Sequence, residues 1–369
     1  MSKQYIKDIK IRGFRNIDAA ELKFSDGINI IYGENAQGKT NLVEAIWLLS
    51  GGKSFRGSKD REMIGFDRDS FRIEGNVTNG ERDINITVAC SKTNPKFSSR
   101  MGKTDRKDFD RASLIAGSFY CVIFSPVHLN IISGGPVLRR KFADACLCQL
   151  NLPFIDRYRR YNRALATRNA FLKNIKKYDD IRQESIFNSL DDALCQNGYY
   201  IYKQRKRFCD TVGERAAEYY KNISGDREKL TVVYKNRADS RESMKNGLLN
   251  IREKDIYTGS TNFGVHREDI EFYLDGKPAK DYASQGQQRS IVIALKLAES
   301  DMMENFTEIS PVILLDDVLS ELDFQRQDYL LNNIRGKQVF ITTCECERIK
   351  LSDSKKIYVE NGRIKEICM

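Results

Sequence analysis

The sequence predicts an α/β fold, a phosphate-loop head decorated with antiparallel β-structure and carrying an inserted, mainly helical lobe. Three stretches support this. Residues 33–40 read Gly-Glu-Asn-Ala-Gln-Gly-Lys-Thr and fit G-x-x-x-x-G-K-[ST] at every fixed position. Residues 311–317 form an apolar run that ends in Asp316-Asp317. Between Pro153 and Pro278 there is no proline, and apolar residues recur at helical spacing.

In chain order, Ile6, Ile9 and Ile11 mark a first strand, Gly13-Phe14-Arg15-Asn16 a turn, and Leu22 and Phe24 a second strand, which together predict a hairpin. Ile28, Ile30 and Ile31 read as a buried parallel strand entering the loop. From Asn41 to Leu49 the residues Leu42, Ala45, Ile46 and Leu49 share a helix face. Gly51–Gly57 is glycine-rich and basic. Alternation at Phe71, Ile73, Gly75 and Val77, a turn at Asn79-Gly80, and alternation at Ile84, Ile86 and Val88 predict a second hairpin. Tyr158, Tyr161, Leu165, Leu172 and Ile175, then Leu190, Leu194, Ile201 and Phe208, predict a two- or three-helix insertion ending near Gly225. Leu230–Tyr234 reads as a strand and Asp275-Gly276 as a hairpin turn. The expected division is residues 1–126 and 290–369 for the head and 127–289 for the inserted lobe.

The loop residues have separable tasks. Gly33 and Gly38 let the backbone curl so that the N–H groups along Glu34, Asn35, Ala36 and Gln37 converge on an anion. The helix N-terminus adds partial positive charge. Lys39 reaches the terminal phosphates of ATP, and the Thr40 hydroxyl suits Mg²⁺. A strand beside the loop strand would deliver Asp316 to that metal, leaving Asp317 to polarise the attacking water.

Upstream, Ala283-Ser284-Gln285-Gly286-Gln287-Gln288-Arg289 opens an apolar helix. It looks like the signature motif of ABC-type ATPases, which acts on the nucleotide of a partner subunit through residues such as Ser284, Gly286 and Gln287. An ordinary helix cap, Ser284 with an amide three residues on, is the alternative. Ser320-Glu321-Leu322-Asp323 resembles the D-loop that follows. Val339–Thr343 ends where ABC transporters carry a switch histidine, which this chain lacks; Thr342 or Thr343 is left to supply a hydroxyl. The stretch Ser125–Leu129 stands where a glutamine loop is expected but has no glutamine; His128 there is either a local substitute or an exposed loop histidine, and the second is the favoured reading.

The chain has 61 Lys/Arg against 51 Asp/Glu, nine cysteines and two histidines. No apolar run is long enough to span a bilayer. No signal-peptide core opens the chain, so a cytoplasmic protein without membrane partners is expected. No C-x-x-C pair occurs, so reduced thiols rather than a zinc site are the default. Residues 154–208 hold thirteen Lys/Arg against six Asp/Glu, interleaved with tyrosines. That pattern fits either a phosphate-backbone contact surface or a solvated helix face with tyrosines packed beneath it.

Taken with Phe14-Arg15-Asn16, Gly134–Phe142, Phe263–Asp269 and Leu314–Asp323, these motifs resemble the RecF family of bacterial recombination-mediator ATPases, related to SMC proteins, over nearly the whole chain. The resemblance implies an ABC/SMC-like P-loop ATPase head with ATP and Mg²⁺ as cofactors. It implies an ATP-dependent homodimer that binds double-stranded and gapped DNA in replication and repair. RecO and RecR are the implied partners in loading RecA, with slow ATP hydrolysis resetting the cycle. The candidate DNA contacts are Arg56, Arg139, Arg140, Arg159, Arg160, Lys203 and Arg205, although Arg56 could equally reach the nucleotide. The rival reading is an ABC-type ATPase of another system such as a transporter. The helical insertion, the missing histidine and the basic charge argue against it.

Overall fold

The computed structural model describes residues 2–79, 82–93, 101–105, 107–109, 111–175, 180–344 and 354–367. The run Ile28–Tyr32 is a strand buried along its centre, with parallel neighbours Val339–Thr343 and Ser354–Glu360 on its two sides. The sheet continues through Val312–Leu315 to Cys121–Phe124, and Arg363–Ile367 closes the opposite edge antiparallel. The Asp316-bearing strand is therefore not beside the loop strand, as the sequence led one to expect. Both edges of the loop strand are taken by C-terminal strands, and Val339–Thr343 separates it from Val312–Leu315.

A second, antiparallel sheet has the order Ile17–Lys23, Tyr5–Phe14, Ser70–Thr78, Asp83–Ser91, Met101–Thr104, Lys107–Phe109. Both predicted hairpins form, although the Asn79-Gly80 turn lies partly outside the described residues. The loop helix Lys39–Leu48 is held between the two sheets. Its Leu42, Val43 and Ile46 share one core with Ile9, Ile73 and Val88 of the antiparallel sheet and Ile123 and Leu314 of the parallel one. Burying a Leu or Ile side chain is worth about 1.5–3 kcal/mol. This layer fixes the helix, and with it the loop.

The inserted lobe contains helices Pro136–Leu150, Leu152–Lys173 and Asp180–Ser224, and Gly225 follows in the left-handed region. The end near Gly225 is as expected. The first helix went unread, although Pro136 at its start and Phe142, Ala143, Cys146 and Leu147 on one face were its signal. The third helix, at 45 residues, spans roughly 68 Å. Leu230–Lys235, Asp269–Leu274 and Lys277–Pro278 make a small antiparallel sheet against it, with Asp275 and Gly276 both at positive φ in the turn. Helix Gln285–Thr307 packs on both the long helix and strand Cys121–Phe124. Residue 289 lies in its second turn, so the division drawn there passes through one continuous helix. Among the described residues no helix is long and apolar enough to cross a membrane.

Candidate nucleotide-binding site

The phosphate loop is held from both ends of the chain. Asn16 donates through Nδ2 to the Gln37 carbonyl at 3.0 Å. From the C-terminal hairpin, the Gly362 amide donates to the same carbonyl at 2.9 Å and the Asn361 amide to Gln37 Oε1 at 2.6 Å. Gly33 has φ 151, and a β-carbon there would lie 2.2 Å from the Val359 carbonyl oxygen, so only glycine fits. Residues 14–16 are thus more than a turn. Phe14 packs edge-on against Phe71, Asn16 braces the loop, and Arg15 pairs with the fully buried Glu44 of the loop helix.

Lys39 curls back over the loop, donating to the carbonyls of Gly33 at 2.6 Å and Glu34 at 2.8 Å. Across the sheet, Thr40 Oγ1 donates to Asp316 Oδ1 at 2.9 Å, and Thr342 Oγ1 donates to the same oxygen at 3.1 Å. Asp316 is buried and has no ion-pair partner among the described residues. Burial pushes its carboxyl up from the usual range, while the two threonine hydroxyls and the field of Arg56 draw it back down. A buried carboxylate satisfied only by hydroxyls fits a hard divalent cation such as Mg²⁺, with Thr40 and Asp316 as its protein ligands. Asp317 has φ 52 and is exposed; its amide donates to Thr342 Oγ1 at 2.8 Å, and its carboxylate accepts from Ser320 at 2.9 Å.

The residue directly after strand Val339–Thr343, where a switch histidine was expected and none is present, is Cys344. Cys344 Sγ contacts Asn35 Oδ1 at 2.9 Å and Lys39 Nζ at 3.5 Å. Its place directly after the strand, where histidine was sought, was the available signal. Thr342 is occupied by Asp316 and the Asp317 amide. His128 is not an exposed loop histidine: it is half-buried and caps its own 3₁₀ turn by accepting the Ser125 amide at 3.1 Å. Burial and the nearby Lys296 push its pKa well down.

Ser284 is exposed at the N-terminus of its helix, and the cap is fully formed. Ser284 Oγ accepts the Gln287 amide at 3.2 Å and Gln287 Oε1 accepts the Ser284 amide at 2.7 Å. No hydrogen bond among the described residues joins this segment to the loop of its own chain.

The candidate DNA contacts divide by burial. Arg139 and Arg205 do not reach the surface. Arg139 is forked onto Asp269 at 2.8 Å through two nitrogens, and Arg205 onto Asp144 at 2.8 and 2.9 Å and onto the Val265 carbonyl at 2.7 Å. A buried guanidinium needs such partners, so these two are struts within the inserted lobe and not phosphate contacts. The Arg139–Asp269 fork joins the Gly134–Phe142 block to the Phe263–Asp269 block. Arg140 is half-buried against the Glu268 carbonyl. Arg159 and Arg160 are exposed and paired with Asp156 one turn away. Lys203 is exposed, 4.8 Å over the Tyr199 ring, and Tyr199, Tyr202 and Tyr234 stack in series beneath it. Arg56 is exposed at the mouth of the site and donates to Asn41 Oδ1 at 3.0 Å.

The family described as RecF/RecN/SMC N terminal domain matches residues 5–365. The DNA replication and repair protein RecF of Bacillus mycoides (strain KBAB4) is 36% identical over 98% of both chains, and that of Bacillus cereus (strain AH820) is 35% identical over the same shares. A solved structure described as the recombination mediator protein RecF-ATPrS in the RecFOR pathway superposes with a TM-score of 0.91 at 34% identity, covering 100% of this chain and 99% of that one. The Smc head domain of Pyrococcus furiosus, at 14% identity and a TM-score of 0.55 over 99% and 96% of the two chains, shares the fold. The α/β head expected from the sequence is borne out.

Proposed function

Because this chain belongs to the RecF family, we propose that it is an ATP-dependent DNA-binding protein of recombinational repair and replication. The observation that carries the reading is the convergence of Lys39, Thr40 and Asp316 on one loop, with Thr40 and Asp316 2.9 Å apart. Loop amides and Lys39 bind the triphosphate of ATP. Thr40 and Asp316 hold Mg²⁺, which when bound screens the phosphate charge. Asp317, exposed beyond the strand end, orients and deprotonates the attacking water in a slow hydrolysis.

Ser284 is exposed, Gly286 and Gln287 are half-buried, and none of the three is hydrogen-bonded to its own loop. They complete the site of a second copy, so ATP joins two subunits. Loss of the γ-phosphate removes those cross-subunit contacts and shifts the population to monomers. The dimer binds double-stranded and gapped DNA through the exposed cations Arg159, Arg160 and Lys203, and it works with RecO and RecR to load RecA. Arg56, at the mouth of the site, acts on the nucleotide side.

Light scattering with and without ATP tests this. Lys39→Met is expected to abolish the ATP-induced dimer, and an undiminished dimer in that variant refutes the assignment.

A further inference from the structure

Two side-chain ties link the signature turn to the loop that follows the two acids. Ser290 Oγ donates to the Gly286 carbonyl at 3.1 Å, one turn back in its helix. The same oxygen accepts from Arg326 Nε at 2.7 Å. Arg326 Nη1 pairs with Asp323, whose carboxylate also caps the helix Phe324–Asn333 by accepting the Arg326 amide at 3.0 Å. Arg326 Nη2 lies 3.4 Å from the point a β-carbon on Gly286 would occupy. A second tie runs in parallel from Arg289 to Glu321. At the other end of the loop, Ser320 donates to the Asp317 carboxylate at 2.9 Å and to its carbonyl at 2.8 Å.

The linkage therefore runs by hydrogen bonds from Gly286 through Ser290 and Arg326 to Asp323, along the backbone from Asp323 back to Ser320, and by the Ser320 hydroxyl to Asp317. Its two ends serve different nucleotides. Asp317 stands at the site formed by its own loop, while Gly286 belongs to the turn offered to a second copy. Arginine suits the middle position because its planar fork engages Ser290 and Asp323 together, which a lysine ammonium on a single stem does not do in a fixed geometry. A β-carbon on Gly286 would stand in contact with the guanidinium.

We propose that Arg326 is a positioning residue that couples the two ATP sites of the dimer by making the signature turn and the Asp317–Asp323 loop one rigid body. This rests on the reading that the signature turn completes the partner's site. A shift of the acids on hydrolysis at one site then withdraws the donors from the other.

The test compares wild type with Arg326→Ala, Arg326→Lys, Ser290→Ala and Ser284→Arg in the full chain. The readouts are fluorescent-ATP titration of the monomer, thermal melting, light scattering with ATP, and the ATP dependence of hydrolysis. Arg326→Ala and Arg326→Lys are expected to melt and bind ATP as wild type does, yet to dimerise about tenfold more weakly, a typical coupling magnitude. Their hydrolysis curves should lose sigmoidal character. Ser290→Ala should weaken the dimer too, and add nothing in the Arg326→Ala background. If Arg326→Lys behaves as wild type, charge alone suffices and the positioning role is refuted. If Arg326→Ala lowers monomer ATP binding or the melting temperature in step with dimerisation, the residue is merely structural and the inference falls. Should Ser284→Arg abolish the dimer while Arg326→Ala leaves it intact, the inference fails and the shared-site reading survives. An intact dimer in Ser284→Arg overturns both.

Discussion

Arg15→Ala is expected to destabilise the N-terminal layer by about 3–4 kcal/mol at neutral pH, and the penalty should depend on pH. Arg15 reaches Glu44 through Nε at 2.9 Å and Nη2 at 3.1 Å, and Glu44 has 0% side-chain exposure. Truncating one partner of a buried pair costs about 3–5 kcal/mol, because the other charge is stranded. Here the stranded group has an escape, which is to take up a proton. A glutamate of ordinary acidity, near pH ~4.3, costs about 3.7 kcal/mol to protonate at pH 7 and about 1.6 kcal/mol at pH 5.5. Those figures cap the share of the penalty that comes from the stranded charge; the lost bonds to Ser58 and the Glu62 carbonyl add to it. In the variant the folded chain holds a proton that the unfolded chain has lost above that range, so stability relative to wild type falls as pH rises.

The measurement is urea unfolding at pH 7 and 5.5, followed by fluorescence of Trp47, the only tryptophan, which is buried one turn from Glu44 in the same helix. Arg15→Ala/Glu44→Gln removes both charges and should recover most of the loss. A penalty under about 1 kcal/mol, the range of exposed substitutions, would refute the reasoning. So would one that does not change with pH, or a double variant as unstable as the single.

Three further outcomes are expected. His266 accepts from Tyr161 OH at 2.7 Å and donates to the Thr261 carbonyl at 3.0 Å, and burial lowers its pKa to about 4. Stability should thus drop as pH falls through ~6.5 and level off below the folded value, a loss on the order of 3 kcal/mol; His266→Gln should flatten that slope in melting experiments. Gly362→Ala puts a β-carbon 1.9 Å from the Asn16 carbonyl oxygen at φ 72. It should cost about 1–3 kcal/mol and weaken ATP binding, read by melting and nucleotide titration. Glutamate at Arg159, Arg160 and Lys203 should reduce the salt slope of duplex binding by up to about 2.7 for three lost phosphate contacts. An unchanged slope would leave those residues as a solvated face.

What the sequence disclosed and what it withheld divide along physical lines. The phosphate loop was legible because its chemistry fixes residue types at fixed local spacing, and the Asp-Asp strand because burial demands a continuous apolar run. The insertion's last two helices were legible from periodicity. Strand order was not, since nothing local in Val312–Leu315 states that Val339–Thr343 intervenes before the loop strand. The roles of Arg139 and Arg205 were also hidden. A positive charge counted along the chain looks the same whether it faces solvent or a carboxylate some 60 or 130 residues away. Cys344 escaped because a histidine was sought in its place, and its contact with Asn35 spans 309 positions.

The neighbours of the loop strand bear on timing. Ile28–Tyr32 emerges early from the ribosome, but both strands that flank it, and the Asn361-Gly362 turn that grips Gln37, lie beyond residue 338. At roughly 5–20 residues per second of synthesis, the motif waits on the order of 15–60 s for them. Throughout that interval the nascent chain carries a phosphate-loop sequence without a phosphate loop. The cradle thus gains its flanking strands and its C-terminal grip only after residue 362 has been made.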